Sequence, residues 1–396
     1  MPECLKIVNW RASTRREVAD WLKSSQSAER SSRVTLVVRS QLRPVDVYCY
    51  LVARFGRPNG FLNHLHRDDS DNWIHWDFNL KSSDVDLRLA GTSRDVHITV
   101  GEALNDEEWK ELILGMKNDF ARVGREKSKV LNGLEKFVVF QNKFVSIAEL
   151  CAELHEKIVD IQPAEPMPKA TGDRDDLESY EAAMRLMAER STALYGQCLM
   201  LRLLTPIMAE AYINMMILMF CRDAIRDRDA DYQAFLRAKI PDRLELLKAN
   251  CYGFARDVDK STRAYADFMR VISRRNFALH GNVDPLHEQI EIVYFDGRRP
   301  LFSSPGNNVE KFFEHQEAIH KPLEVIAEYE AVHVFLAEIA DCLDARTRAF
   351  FDQVINDAYP GYEVRKRRVT RILPDHIITG MLGGVRYDDD LAVTWR

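Results

Sequence analysis

Between residues 34 and 100 the hydrophobic positions recur with a period of two, whereas beyond about residue 177 they recur with a period near 3.6. The two parts of the chain therefore follow different plans. The first period predicts strands at 34–38, 47–53, 73–80, 85–89 and 96–100, with Ile74, Trp76 and Phe78 facing one way and Trp73, His75 and Asp77 the other. Turn-forming peptides at 57–60 (Arg-Pro-Asn-Gly) and 90–93 (Ala-Gly-Thr-Ser) punctuate them, and a helix at 106–120 closes an α+β domain with a mostly antiparallel sheet. A second helix is expected at 146–161. The segment 162–173 then carries prolines at 163, 166 and 168 and a glycine at 172, which forbid continued helix.

That segment sets the expected domain plan: an α+β domain over 1–161, a Pro-rich linker over 162–176, an all-α bundle over 177–350 and a C-terminal extension over 351–396. Within the bundle the 3.6 period predicts helices at 177–200, 203–223, 241–256 and 260–280 and a long one near 308–350. A small β-hairpin at 289–302, turning on Asp296-Gly297, interrupts them.

Composition narrows the function classes. With 46% hydrophobic and 29% charged residues in 396, the chain has ample material for a core, which excludes disordered and collagen-like classes. A net charge of −6 excludes a globally basic nucleic-acid binder and confines any polyanion contact to a patch. The cysteines (Cys4, Cys49, Cys151, Cys198, Cys221, Cys251, Cys342) are widely spaced and odd in number, the usage of a reduced cytoplasmic protein. No paired spacing offers a structural zinc site, and no cofactor is called for. The start, Met-Pro-Glu-Cys, lacks a charged-then-apolar leader. The most apolar stretch, 203–221, is interrupted by Pro206, Glu210 and Asn214 and flanked by Arg202 and Arg222, so it reads as a buried helix and not a membrane span.

Several features coincide at 273–282, Ser-Arg-Arg-Asn-Phe-Ala-Leu-His-Gly-Asn. Asp259 or Ser261 is placed to cap the preceding helix, and Gly281 stands where a left-handed C-terminal cap is wanted. His280 then falls in the last turn, where unpaired carbonyls favour a cation. Asn276, four residues earlier, shares its face. Arg275 lies on the stripe of Phe268, Ile272 and Leu279, where a guanidinium needs a carboxylate or a ligand phosphate. The expected carboxylate is Glu210, which with Asn214 forms the only polar stripe of the 203–221 helix.

These residues resemble the Arg, four to six residues, His motif of the HEPN superfamily, all-helical domains of which many are metal-independent RNA endonucleases of toxin, phage-defence and CRISPR systems. Arg275 and His280 match the motif, and Asn276 matches the polar residue preferred after the arginine. The resemblance covers about 177–350 in architecture and some ten residues in motif. It implies a cytoplasmic homodimer whose two motifs face each other across a composite cleft, cutting RNA such as tRNA or mRNA without metal or cofactor. His280 would be general acid or base and Arg275 would hold the phosphate charge, with Asn276 and Glu210 in the same site. Arg274 and Asn214, with Arg298 and Arg299 on the hairpin and the basic run 365–368, are the expected RNA-backbone contacts. The α+β domain would sense or restrain, under a phage trigger or an inhibitor.

Three other readings compete. A lone histidine at a helix end is often structural, and Arg275 could be a core ion pair; on that view the bundle is a catalytically silent HEPN-like scaffold or nucleotide-binding adaptor. His64, His66, Asp68, Asp69 and Asp71, with His75 or Asp77, could hold a divalent ion, although such a run is more often a polar loop. Trp73 and Trp76 could stack on single-stranded nucleic acid, although sheet packing explains them as well.

Overall fold

A computed structural model describes residues 2–24, 34–64, 74–161, 174–280, 283–286, 289–306, 308–372 and 385–395. The chain divides into two compact units, one formed by residues 1–136 with 372–396 and the other by 137–371. The division falls at Lys136/Phe137 and not in the Pro-rich segment, most of which (162–173) lies outside the described residues.

The first unit begins with β1 (Arg11–Ala12), α1 (Arg15–Ser24), β2 (Val34–Val38) and α2 (Pro44–Phe55). It continues with β3 (Trp76–Ser82), β4 (Val85–Gly91), β5 (Val96–Val100), α3 (Asp106–Arg122) and α4 (Gly124–Gly133). The strand expected at 47–53 is part of α2. Val47, Tyr50 and Leu51 are buried at helical spacing, Pro44 opens the helix, and Gly56, at φ 81°, ends it. Tyr50 Oη donates to Asp119 Oδ2 on α3 at 2.6 Å, and Arg54 pairs with the same carboxylate at 3.0 Å. α3 starts where expected because Asn105 and Glu108 form a reciprocal capping box.

The second unit opens with β6 (Phe137–Val139) and α5 (Lys143–Val159), followed by α6 (Arg174–Phe220), α7 (Asp223–Arg226), α8 (Asp229–Arg237), α9 (Ile240–Asn250) and α10 (Arg263–Leu279). The hairpin β7 (Val293–Asp296) and β8 (Arg299–Phe302) precedes α11 (Asn308–His320), α12 (Pro322–Ala340), α13 (Ala345–Ile355), β9 (Gly361–Glu363) and β10 (Arg368–Thr370). Two expected helices are one here. α6 runs through Pro206, and Thr205 Oγ1 donates to the Leu201 carbonyl at 2.7 Å beside the bond the proline cannot make. Conversely, the long helix near 308–350 is three. Lys321 is left-handed (φ 47°) before Pro322, and Asp344 caps α13 through the Thr347 N–H.

α6 is long and apolar enough to cross a membrane, but more than half of its apolar window is buried, and α5, α10, α11 and α12 pack along it. Its composition is that of a core helix. β9 pairs with β10 and β6 to make a small antiparallel sheet, so the basic run 365–368 occupies the turn of a hairpin and, with Arg368, the first position of β10. Arg368 and Lys366 pair with the buried Glu363, and Arg367 pairs with Asp227. Truncation before this run would remove a strand from the sheet as well as charge.

The last strand, β11 (Arg386–Tyr387), belongs to the first unit and lies parallel to β2 at the edge of a six-stranded sheet ordered β1-β3-β4-β5-β2-β11. All its other pairings are antiparallel, as expected. Asp388, fully buried, accepts from the backbone N–H groups of Arg39, Ser40 and Gln41, which ties residues 385–395 to the end of β2. One sheet face buries Phe78, Leu80, Leu87, Leu89 and Ile98 in the core with Trp109 and Leu112 of α3. Trp76 is in that core against Tyr48 and Phe78, so it packs and offers no exposed platform; Trp73 lies outside the described residues.

Gly91, opposite Trp76 in the register, has the indole lying over it, and a Cβ there would sit 2.2 Å from Cε2 of the ring. Gly91→Ala is expected to cost about 1–3 kcal/mol, because the indole cannot move without disturbing the core. Urea unfolding checks it; an unchanged midpoint would mean that the ring relocates freely.

Candidate functional site

α10 delivers the motif. Its N-cap is Thr262, whose Oγ1 accepts the Tyr265 N–H at 3.1 Å and donates to Glu338 Oε2 at 2.9 Å. Neither Asp259 nor Ser261 has that role, since the Asp259 carboxylate is taken up by the Ser261 N–H and hydroxyl. The helix is anchored by Phe268, fully buried and stacked on Phe335 of α12 with ring centroids 4.5 Å apart. The same stripe leaves the core toward its C-terminus: Ile272 is half-buried and Leu279 is exposed. The last turn of α10 therefore meets solvent although its start is core.

His280 is the C-cap. Its backbone is helical (φ −84°, ψ 0°), its N–H donates to the Asn276 carbonyl at 3.1 Å, and its side chain is exposed. Asn276 is exposed on the same face, and its Oδ1 accepts from Arg275 Nη1 at 3.0 Å. Arg275 is half-buried. Its Nε is buried with no hydrogen-bond partner, and among the described residues no carboxylate pairs with it. Gly281 and Asn282 lie outside the described residues, so the left-handed cap does too.

The expected partnership of Arg275 with Glu210 is not formed. Glu210 and Asn214 do act together, but on Arg243 of α9, a guanidinium only 4% exposed that reaches Glu210 Oε1 through Nη2 and Asn214 Oδ1 through Nη1 at 2.7 Å. The polar stripe of α6 thus neutralises a buried cation from a helix that the sequence did not single out. Arg243 stands in the first turn of α9 after Pro241-Asp242, where nothing in the local pattern announces burial.

Arg274 is also spent. It pairs with Glu324 and Glu328 of α12, and Glu328, 7% exposed, takes Arg202 Nε of α6 at 3.2 Å as well. An RNA-contacting Arg274 is thereby replaced by a three-helix ion cluster. A signal for it was present: Val325, Glu328, Val332, Phe335 and Ile339 follow helical spacing, and the lone acid on that stripe needs a buried cation. The two neighbouring arginines therefore differ sharply, since one is neutralised twice and the other holds only an asparagine.

Arg298 and Arg299 are exposed at the hairpin, whose turn is Gly297-Arg298 with Asp296 opposite Arg299, one residue later than expected. Among the described residues no hydrogen bond or ion pair joins them to Arg275 or His280. Hairpin and connecting segment are unusually apolar for exposed chain, with Val283 79%, Leu286 87%, Tyr294 62% and Phe295 67% exposed. A cavity of about 930 Å³ between α5, α6 and the α11–α12 junction is lined by Ile158, Leu194, Arg190, Glu317 and Glu324, and touches none of Arg275, Asn276 or His280.

Comparison with protein-family models, curated proteins and solved structures finds no match for this chain. The functional reading rests on the residues themselves.

The run His64 to Asp71 lies almost wholly outside the described residues. Of its suggested companions, His75 Nε2 lies 3.0 Å from Ser93 Oγ, and Asp77 lies 3.5 Å from Arg88 Nε. No cluster of three or more metal-ligating side chains occurs among the described residues.

One histidine near the ion cluster is buried: His320, which closes α11 against the Tyr195 ring at 4.8 Å. Burial lowers its pKa below the ordinary histidine value, the Arg202 charge adds to this, and Glu317 opposes it. A histidine whose folded pKa is depressed contributes stability that is full above its unfolded value of about 6.5 and is lost as pH falls toward the folded value. Unfolding midpoints are therefore expected to drop between about pH 7 and pH 5, and His320→Gln to flatten that slope. An identical slope in the variant would assign the pH dependence elsewhere.

Proposed function

We propose that the helical unit is a HEPN-type, metal-independent endoribonuclease, with His280 as general acid or base and Arg275 as the phosphate-holding group. The observation that carries this reading is the contrast within one dipeptide. Arg274 is consumed by two carboxylates, whereas Arg275 keeps its charge uncompensated beside exposed Asn276 and His280 at the solvent-facing end of α10. A structural arginine at that place would resemble its neighbour. A guanidinium left without a carboxylate, half-buried and orienting an amide, suits an anionic ligand.

The chemistry asks little else of the protein. The 2′-hydroxyl loses its proton to a base and attacks the adjacent phosphorus. The P–O5′ bond breaks as the leaving oxygen gains a proton, which leaves a 2′,3′-cyclic phosphate and a 5′-hydroxyl. An imidazole serves either proton step, and the planar fork of an arginine matches the non-bridging oxygens as charge builds on them. DNA lacks the attacking group and should resist. Glu210 and Asn214, being committed to Arg243, are left out of this machinery.

Incubation of total RNA, including tRNA and mRNA, with purified protein in EDTA tests the reading. Expected are fragments with cyclic-phosphate ends, and intact RNA under the same conditions would leave the silent-scaffold reading in its place.

A second copy of the chain is the proposed partner. The apolar side chains of Leu279, Val283, Leu286, Tyr294, Phe295 and Leu301, all exposed, continue from the last turn of α10 through the hairpin. A two-stranded ribbon with apolar groups on both faces is marginal in water until something covers it. Sedimentation should show a dimer that Phe295→Glu weakens by about tenfold or more, and a monomeric wild type would remove the composite site. The role of the first unit as sensor or restraint, set off by an infecting phage or by loss of an inhibitor, belongs to the same proposal.

A further inference from the structure

The sheet of the first unit has a second face, opposite its core, and its register brings four polar side chains together there. Asn79 of β3 stands directly across from Arg88 of β4, Asp77 lies two residues along on the same face, and His97 of β5 follows beyond Ala90. Asp77 and Asn79 are 1% and 4% exposed. Yet Asp77 Oδ1, both Oδ1 and Nδ2 of Asn79, and Arg88 Nη2 are buried with no hydrogen-bond partner. Among the described residues Asn79 alone leaves both of its side-chain heteroatoms so. The one ionic contact inside the group, Arg88 Nε to Asp77 Oδ2, is 3.5 Å long and satisfies neither residue fully.

Backbone pairing does not explain the burial. Asn59 and Asn63 already serve the main chain of this strand: Asn59 Nδ2 donates to the Asn79 carbonyl at 2.9 Å and Asn63 Nδ2 donates to the Asp77 carbonyl at 2.9 Å. Gly60 lies so close to the Asp77 carboxylate that a Cβ would be 2.1 Å from Oδ2, so only a glycine fits against it there. A fold rarely keeps this many unmatched polar atoms together, because each costs free energy that a leucine or valine at the same position would avoid. Such a cluster is a mark of a group that arrives from outside.

The atoms state what that group must offer. Asp77 wants a donor, Arg88 wants an acceptor, and Asn79 wants both from neighbouring atoms. A bare anion would face Asp77, and a bare cation would face Arg88. The small side chain of Ala90 separates Asp77 from His97, and the Trp21 ring of α1, 5.6 Å from the Arg88 guanidinium, supplies an aromatic surface beside it. Arg88 and His97, half-buried, form the side that meets solvent. Burial also holds the His97 imidazole toward its neutral form, able to donate or accept.

We propose that this face binds the amide edge of a nucleobase, a ring C=O beside a ring N–H as in guanine and uracil, with Asp77 and Asn79 taking the N–H, Arg88 and Asn79 giving to the carbonyl, and Trp21 against the ring. This is a site of the first unit and is independent of the RNA-cleaving reading of the second.

Titration calorimetry on the full chain with guanosine, uridine, adenosine and cytidine decides it. Guanosine or uridine should bind with submillimolar affinity, and adenosine and cytidine, whose edges lack the ring N–H, at least about tenfold more weakly. Asn79→Leu should abolish binding and, by removing two unmatched atoms, raise the Tm of the free protein. Arg88→Met should weaken binding by about tenfold and keep the fold whatever Asn79→Leu does to it. No binding of guanosine or uridine at millimolar concentration, equal binding of all four, or unchanged affinity in both variants would overturn the proposal.

Discussion

His280→Ala is expected to reduce RNA cleavage by about 10²- to 10⁴-fold, the usual worth of a positioned acid or base. Stability should change by no more than about 0.5 kcal/mol, because the side chain is exposed and makes no side-chain hydrogen bond among the described residues. Arg275→Ala should lose activity on a similar scale with a nearly unchanged unfolding midpoint. Arg274→Ala should behave oppositely, losing activity only because the bundle loosens, since its guanidinium holds Glu324 and Glu328. The decisive measurement is therefore paired: single-turnover cleavage and urea unfolding on the same three variants. Wild-type cleavage by His280→Ala would remove the site, and equal destabilisation by the two arginine variants would return Arg275 to a structural role.

Glu328→Ala should be the most destabilising substitution in the ion cluster, by about 3 kcal/mol, because it strands Arg202, whose charge only partly reaches water, and leaves Arg274 with Glu324 alone. The reason is asymmetry: deleting one partner leaves buried charge uncompensated, whereas replacing all members does not. The quadruple variant Arg202→Met, Arg274→Met, Glu324→Gln, Glu328→Leu, which replaces every charge of the cluster, should accordingly recover most of the loss, since neutral groups of similar volume fill the same space. Chemical denaturation of the two variants checks this. A single variant within about 0.5 kcal/mol of wild type would show that the carboxylate is solvated in practice and that the cluster adds little.

Much of the fold was legible because local rules and burial agreed. β5 alternates cleanly, α3 announces itself with Asn105 and Glu108, and the apolar positions of α6 need a core whatever surrounds them. Misreadings arose where two periods share one composition. The β-branched and aromatic run after Pro44 suits a strand by residue type, and only its packing beneath Asp119 shows that the 3.6 period governs. The break expected between 200 and 203 is absent, since neighbours on several sides hold α6 together there and through Pro206, and Lys321-Pro322 ends a helix where no apolar gap marks the break.

The sequence by itself determined the kinds of side chain available: an arginine, an amide and a histidine at the end of an amphipathic helix, a polar pair on an apolar one, and too little positive charge for broad polyanion binding. Only the tertiary structure decided which charges are spent. Glu210 meets Arg243 and not Arg275, Arg274 meets Glu328, and Asp77 and Asn79 are buried without partners, each through contacts between residues far apart in the chain. Periodicity places a residue on a face of its own element, but pairing depends on which other element arrives there. The free energy of a buried charge or amide is set by that arrival.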